Sequence, residues 1–234
     1  KQKDLREICK VTRPHPDGIQ ALFQSKQLSL TKAGYVEPLL TPQRNPKFCD
    51  ALSKPTFDLD YIIHDYEQMC LNLKPTSQII LIDLGASLEF HSRHDQPAVT
   101  LMKQFEKFGM RFDHIYAFEA TPTDPSKVYH KLLPQEYFHS YHWINTGVSA
   151  GKNDKMNPLY SLITSFHEDD LVIMKLDIDA EEIENPLAQQ LLENDNVNKR
   201  VDHFYFEHHV RLYEMRAWWG KGLDITSPTV NDSF

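Results

Sequence analysis

Long hydrophobic runs are missing from this sequence. Its most apolar stretches, such as 79–82, are far too short to cross a bilayer. Clustered basic charge is missing as well. The formal net charge is -8, and the nearest approach to a basic run is Lys199-Arg200. A duplex-binding surface needs many Lys and Arg to displace counterions from phosphates. Neither a membrane span nor a nucleic-acid partner is therefore expected. Cysteine is sparse: Cys9, Cys49 and Cys70 form no CxxC pair, which excludes a disulfide scaffold. Cys70 reads as a small buried hydrophobe on a helical apolar face. Cys9 and Cys49 lie in polar surroundings and leave the redox compartment open. No HExxH or similar spacing marks a metal site. No charged region followed by an apolar one opens the chain, which starts at Lys1. Localisation stays open, a trimmed targeting segment or anchor included.

What is present is the composition of an ordinary globular chain, 234 residues with 41% hydrophobic and 25% charged. That length carries one full core with room for a small appendage. Residues 1–55 read as an irregular leader, broken by Pro14, Pro16, Pro38, Pro42, Pro46 and Pro55. A helix is expected over 57–73, where Leu59, Ile62, Ile63, Tyr66, Met69 and Cys70 repeat on one face. Strands are then expected at 79–83, 114–119, 141–148, 171–177 and 203–207, with helices at 97–108, 125–133 and 186–192 between them. Strands alternating with helices call for right-handed crossovers and a parallel sheet. The fold class expected over 56–234 is thus α/β, a Rossmann-like, mostly parallel sheet with helices on both faces.

Chemistry gathers where the expected strands end. Asp83-Leu84-Gly85-Ala86-Ser87 follows an apolar strand with a tight turn, at the edge where open parallel sheets bind ligands. It holds one glycine where nucleotide-binding turns often hold two or three. Glu119 ends the next strand, where a carboxylate can accept both hydroxyl protons of a ribose. Its distance from the first turn exceeds the roughly 20 residues usual in dinucleotide sites, an excess explained by the polar insert 89–96. Lys175, Asp177 and Asp179 end the fourth strand, where unpaired charge would be costly. The bland reading there is that Lys175 pairs with a neighbouring carboxylate. Glu207, His208 and His209 end the fifth. With Asp177 and Asp179 they supply donors enough for Mg²⁺ or a transition metal, but no spacing fixes one and no metal is assigned.

Taken in order, these pieces resemble the FkbM-type family of S-adenosylmethionine-dependent methyltransferases. The resemblance rests on Asp83-Leu84-Gly85-Ala86, Ala117-Phe118-Glu119-Ala120-Thr121-Pro122, Asn145-Thr146-Gly147-Val148, Lys175-Leu176-Asp177-Ile178-Asp179-Ala180-Glu181-Glu182 and Glu207-His208, and covers about residues 77–210. It implies a class I methyltransferase fold with S-adenosylmethionine as cofactor. Asp83, Gly85, Ala86 and Ser87 would hold its methionine part and Glu119 its ribose. Gly147 and Val148 would lie near the adenine, and Asp177 would face the methyl-transfer site. Ser87-Leu88-Glu89 departs from the family's further glycine, and Asp179-Ala180 stands where the family has Glu-Gly. The family's last two strands have no counterpart in 223–234.

The expected reaction is O-methylation of a small-molecule or glycan hydroxyl. His208 is the candidate general base, with Asp179 or Glu182 orienting it or the substrate. Two other readings stay open. One is a metal-dependent glycosyltransferase using Asp177-Ile178-Asp179, and the other is a methyltransferase-like binding domain without activity.

Overall fold

The computed structural model describes residues 72–88, 97–107 and 109–207. The leader 1–55, all but the end of the expected helix at 57–73, and 208–234 lie outside them. The chain divides into two compact units, and the described residues, Glu207 aside, belong to the larger.

Five strands form one sheet: β1 (Ile79–Leu84), β2 (His114–Phe118), β3 (Tyr141–Ile144), β4 (Leu171–Leu176) and β5 (His203–Phe206). Their order is β3-β2-β1-β4-β5 and every pairing is parallel. Strands β1 and β4 are buried at all six positions, Asp83 and Lys175 included, as central strands covered on both faces must be. The edge strands β3 and β5 are fully buried only at their first residues.

Side chains alternate across each strand. One face sends Ile80, Ile82, Leu84, Val172 and Met174 against Leu159 of α3 (Pro158–Ser161) and Leu187 and Leu191 of α4 (Glu181–Glu193). The other face meets α1 (Pro97–Lys107), whose Phe105 ring stands edge-on to His203 at 5.9 Å and lies 5.5 Å from Phe112. The expected helix after β2 is a short α2 (Pro125–Lys127) running into a π-helical turn (Val128–Leu132), capped at its start by the Asp124 carboxylate. A last short helix, α5 (Asp195–Asn198), precedes β5. Among the described residues no helix is long and apolar enough to cross a membrane.

Two boundaries differ from the sequence reading. The expected third strand ends early, at Ile144, because Thr146 turns back to donate to the Ile144 carbonyl. The expected helix at 186–192 begins instead at Glu181, with Pro186 inside it. Three glutamates in its first turn favour the positive end of the helix dipole, and that start outweighs the backbone donor lost at the proline.

The amino edge of the sheet is laced by carboxylates. Asp113 accepts from Ile79 N at 2.8 Å, Asp170 from Gln78 N at 2.9 Å and His167 N at 3.0 Å, and Asp202 from Val172 N at 2.8 Å. Each of these aspartates immediately precedes a strand and ties it to a neighbour.

Candidate functional site

The opposite, carboxyl edge contains the point where strand order reverses. β2 and β3 lie to one side of β1, β4 and β5 to the other, and such a switch point opens a crevice for ligands. Leu84 is in register with both Phe118 and Leu176. The residues that follow these three are Gly85, Glu119 and Asp177, so one rim gathers all three turns. Asn145, which follows β3, staples the rim sideways. Its amide nitrogen donates to the carbonyls of Glu119 (2.8 Å) and Thr121 (2.7 Å), and its oxygen accepts from Thr123 N at 2.8 Å.

The turn after β1 is built for its own backbone neighbours. Gly85 has φ +88°, and a Cβ there would overlap the Asp177 carbonyl oxygen. Glycine is thus required by the close approach of the β4 terminus. Gly85 N (3.0 Å) and Ala86 N (2.9 Å) both donate to the Phe118 carbonyl, so these two donors are spent inside the protein. Beyond β4, the left-handed position falls on Asp179 (φ 55°). Ala180, at φ -139°, needs no glycine there. The buried Glu184 of α4 reaches back to accept from Ile178 N at 2.7 Å and shapes this loop.

A buried cation organises the rim. Lys175, 3% exposed, stands in register beside Asp83, which is 0% exposed. Its ammonium lies 3.2 Å from Asp83 Oδ1, 3.1 Å from Asp177 Oδ2 and 3.3 Å from the Gly85 carbonyl oxygen. Neither Asp83 oxygen has a hydrogen bond of good geometry. Burial holds the Asp83 carboxyl above its ordinary proton affinity against the pull of Lys175, and the charges of Asp177 and Glu119 push the same way as burial. The Tyr141 phenol is raised well above its ordinary value by burial first, then by Asp83. One lysine thus faces two carboxylates, and Glu119 adds a third charge that Asp83 feels.

The sequence-predicted residues separate into distinct places. Asp177, with a side chain 27% exposed, and Glu119, 9% exposed, remain at the rim. One Glu119 oxygen accepts from Thr121 N at 2.6 Å. Ser87, Leu88, Glu119, Thr121, Val128 and Trp143 line a cleft of about 50 Å³. Asp83 is enclosed beneath the rim, because β1 is the central strand and its side chains are covered on both faces. Gly147 is exposed, and Val148 packs into the core on the α3–α4 face. Asp179 and Glu182 are exposed. His208 lies outside the described residues.

Sequence reasoning weighed Lys175 only as a neighbour's partner and gave no role to Asn145, Glu184 or Trp143. An isolated lysine in an otherwise apolar strand was the signal available for the first. A larger cleft of about 370 Å³, lined by Lys152, Tyr160, Gln190, Glu193 and Asn194, lies along the carboxyl-terminal half of α4, away from this chemistry. Its amides already serve the fold, Gln190 bonding to the Ala150 carbonyl and Asn157, and Asn194 to Tyr160. Comparison of the chain with protein-family models, with curated proteins and with solved structures found no match.

Proposed function

We propose that this chain is an S-adenosylmethionine-dependent methyltransferase acting on a hydroxyl of a small molecule or glycan. The observation that carries the reading is the gathering of Glu119 and Asp177 on either side of Gly85 at a parallel sheet's switch point. Two carboxylates on one lysine, with Glu119 nearby, favour a cationic ligand, and a carboxylate following the second strand suits a ribose diol. The residue types fit this cofactor: Glu119 would take the ribose hydroxyls, the turn after β1 the methionine part, and Asp177 would face the positively charged sulfur. When bound, the cofactor supplies a methyl group already activated on a positively charged sulfur.

The protein then needs to place the acceptor hydroxyl in line, exclude water and receive one proton. His208 is assigned the proton from its place in the sequence, two residues after β5. In His208→Ala, turnover falls at least about a hundredfold, the usual contribution of a general base, with cofactor affinity kept. Unchanged turnover removes His208 from the mechanism.

One observation favours a glycosyltransferase as second reading: carboxylate oxygens of Asp177 and Asp179 come within 4.8 Å of each other, as two ligands of one cation would. Lys175 already sits on Asp177 at 3.1 Å, which weakens that use. Calorimetry separates the two. The methyltransferase reading expects S-adenosylhomocysteine to bind without metal. Binding of a nucleotide-sugar with Mn²⁺, and none of S-adenosylhomocysteine, overturns it.

A further inference from the structure

The enclosed position of Asp83 leaves its carboxylate without the ligand contact expected of it, yet it is paired with the same lysine that holds the exposed Asp177. The geometry points to Lys175 as the positioning residue of the site, through which Asp83 acts on a bound ligand without touching it. This rests on the donor site proposed above and deepens it by assigning what sets its charge and orientation.

The Lys175 ammonium has two carboxylates and a carbonyl within 3.3 Å, one from each of the three segments that meet at the switch point. Asp83 belongs to β1, Gly85 to the turn after it, and Asp177 to the end of β4. At 3% exposure the ammonium makes no ligand contact of its own. What it can do is hold the Asp177 carboxylate at the crevice and keep the Gly85 carbonyl turned inward. It also cancels one of the three negative charges there. Asp83 in turn anchors the lysine from below. A ligand's cationic end then meets a rim whose net charge and carboxylate direction are set one layer deeper.

A double-mutant cycle on the full chain tests this, read as affinity for S-adenosylhomocysteine and for sinefungin, its analogue carrying an extra amino group. If Asp83 acts only through Lys175, Asp83→Asn and Lys175→Met each weaken S-adenosylhomocysteine binding, about tenfold for Lys175→Met, the equivalent of roughly one charge-assisted hydrogen bond. The double variant is then no weaker than Lys175→Met alone. Losses that multiply in the double variant overturn the proposal, because they mean Asp83 meets the ligand independently.

The preference for the more cationic analogue supplies a readout that a purely structural lysine would not move. The ratio of sinefungin to S-adenosylhomocysteine affinity rises several-fold in Lys175→Met, falls in Asp83→Asn, and in the double variant stays at the Lys175→Met value, since Asp83 has no route to the ligand without the lysine. A ratio unchanged across the variants overturns the proposal. Where Lys175→Met alone does not fold, Asp83→Asn and the double variant still report the fall and the rise. Absence of S-adenosylhomocysteine binding to the unaltered chain is a different failure, which removes the donor-site reading itself.

Discussion

The two edges of this sheet use the same functional group in opposite ways. At the amino edge, Asp113, Asp170 and Asp202 each accept backbone N–H groups at 2.8–3.0 Å and sew one strand to the next. At the carboxyl edge, Asp83 has no hydrogen bond of good geometry and Glu119 spends one oxygen on Thr121 N. Asp177 leans on a buried lysine. A carboxylate whose lone pairs are filled by its own backbone is stitching. One set among others of its kind around a single cation stores electrostatic cost that a ligand can relieve. The contrast locates function better than the mere count of acidic residues does.

The comparison breaks most visibly at Lys175. Its replacement by Met leaves Asp83 as an unpaired buried charge, and urea unfolding should show a loss of about 3–5 kcal/mol. The double variant Asp83→Asn with Lys175→Met should recover most of it, since apolar or neutral substitutes for a buried ion pair are tolerated. No recovery would mean that the lysine's packing, not its charge, matters.

Gly85→Ala comes next. It combines a left-handed φ with overlap on the Asp177 carbonyl, and the same unfolding measurement should give a loss of about 2–3 kcal/mol. A stable Gly85→Ala variant would show that the β1 turn and the β4 terminus can separate.

The two edges are then set directly against each other. Asp170→Ala removes acceptors for two backbone groups and should cost about 1–2 kcal/mol of stability with no change in S-adenosylhomocysteine affinity. Asp177→Asn should do the reverse, shifting stability by less than about 1 kcal/mol, as a partly exposed pair does, while weakening the ligand at least about tenfold. If both variants change the same quantity, the division of labour between the edges is wrong.

The smallest effect lies away from the switch point and serves as a control. His114 Nδ1 and His142 Nε2 lie 3.0 Å apart, so the pair can share one proton but not hold two comfortably. Burial first, and then the neighbouring His114, lower the proton affinity of His142 below its ordinary 6.5. A histidine held neutral by the fold contributes stability that is fully present above 6.5 and is lost as pH falls through the lowered folded value. His142→Gln should flatten that acid-side slope in urea midpoints taken at several pH values, without changing ligand affinity at pH 7.5.

Much of the fold was legible because unbroken apolar runs can only be central strands. Ile79 to Ile82 and Leu171 to Met174 announce burial on both faces, and glycine and proline mark several of the breaks. The helix start at Glu181 was not legible, since Pro186 is a stronger local signal than a row of glutamates until the chain after β4 is seen turning over the rim. Of the site, Glu119 and Asp177 could be named from their places at strand ends. The enclosure of Asp83 could not, because depth is a property of neighbouring strands.

By itself, then, the order of residues determined which segments are strands, that they alternate with helices, and which polar side chains close them. Only the tertiary structure decided which of those side chains a ligand can reach. Strand register brings Asp83 beside Lys175 and puts Asp177 above both. Burial and pairing depend on distances between segments far apart in the chain, and one-dimensional spacing does not carry those distances.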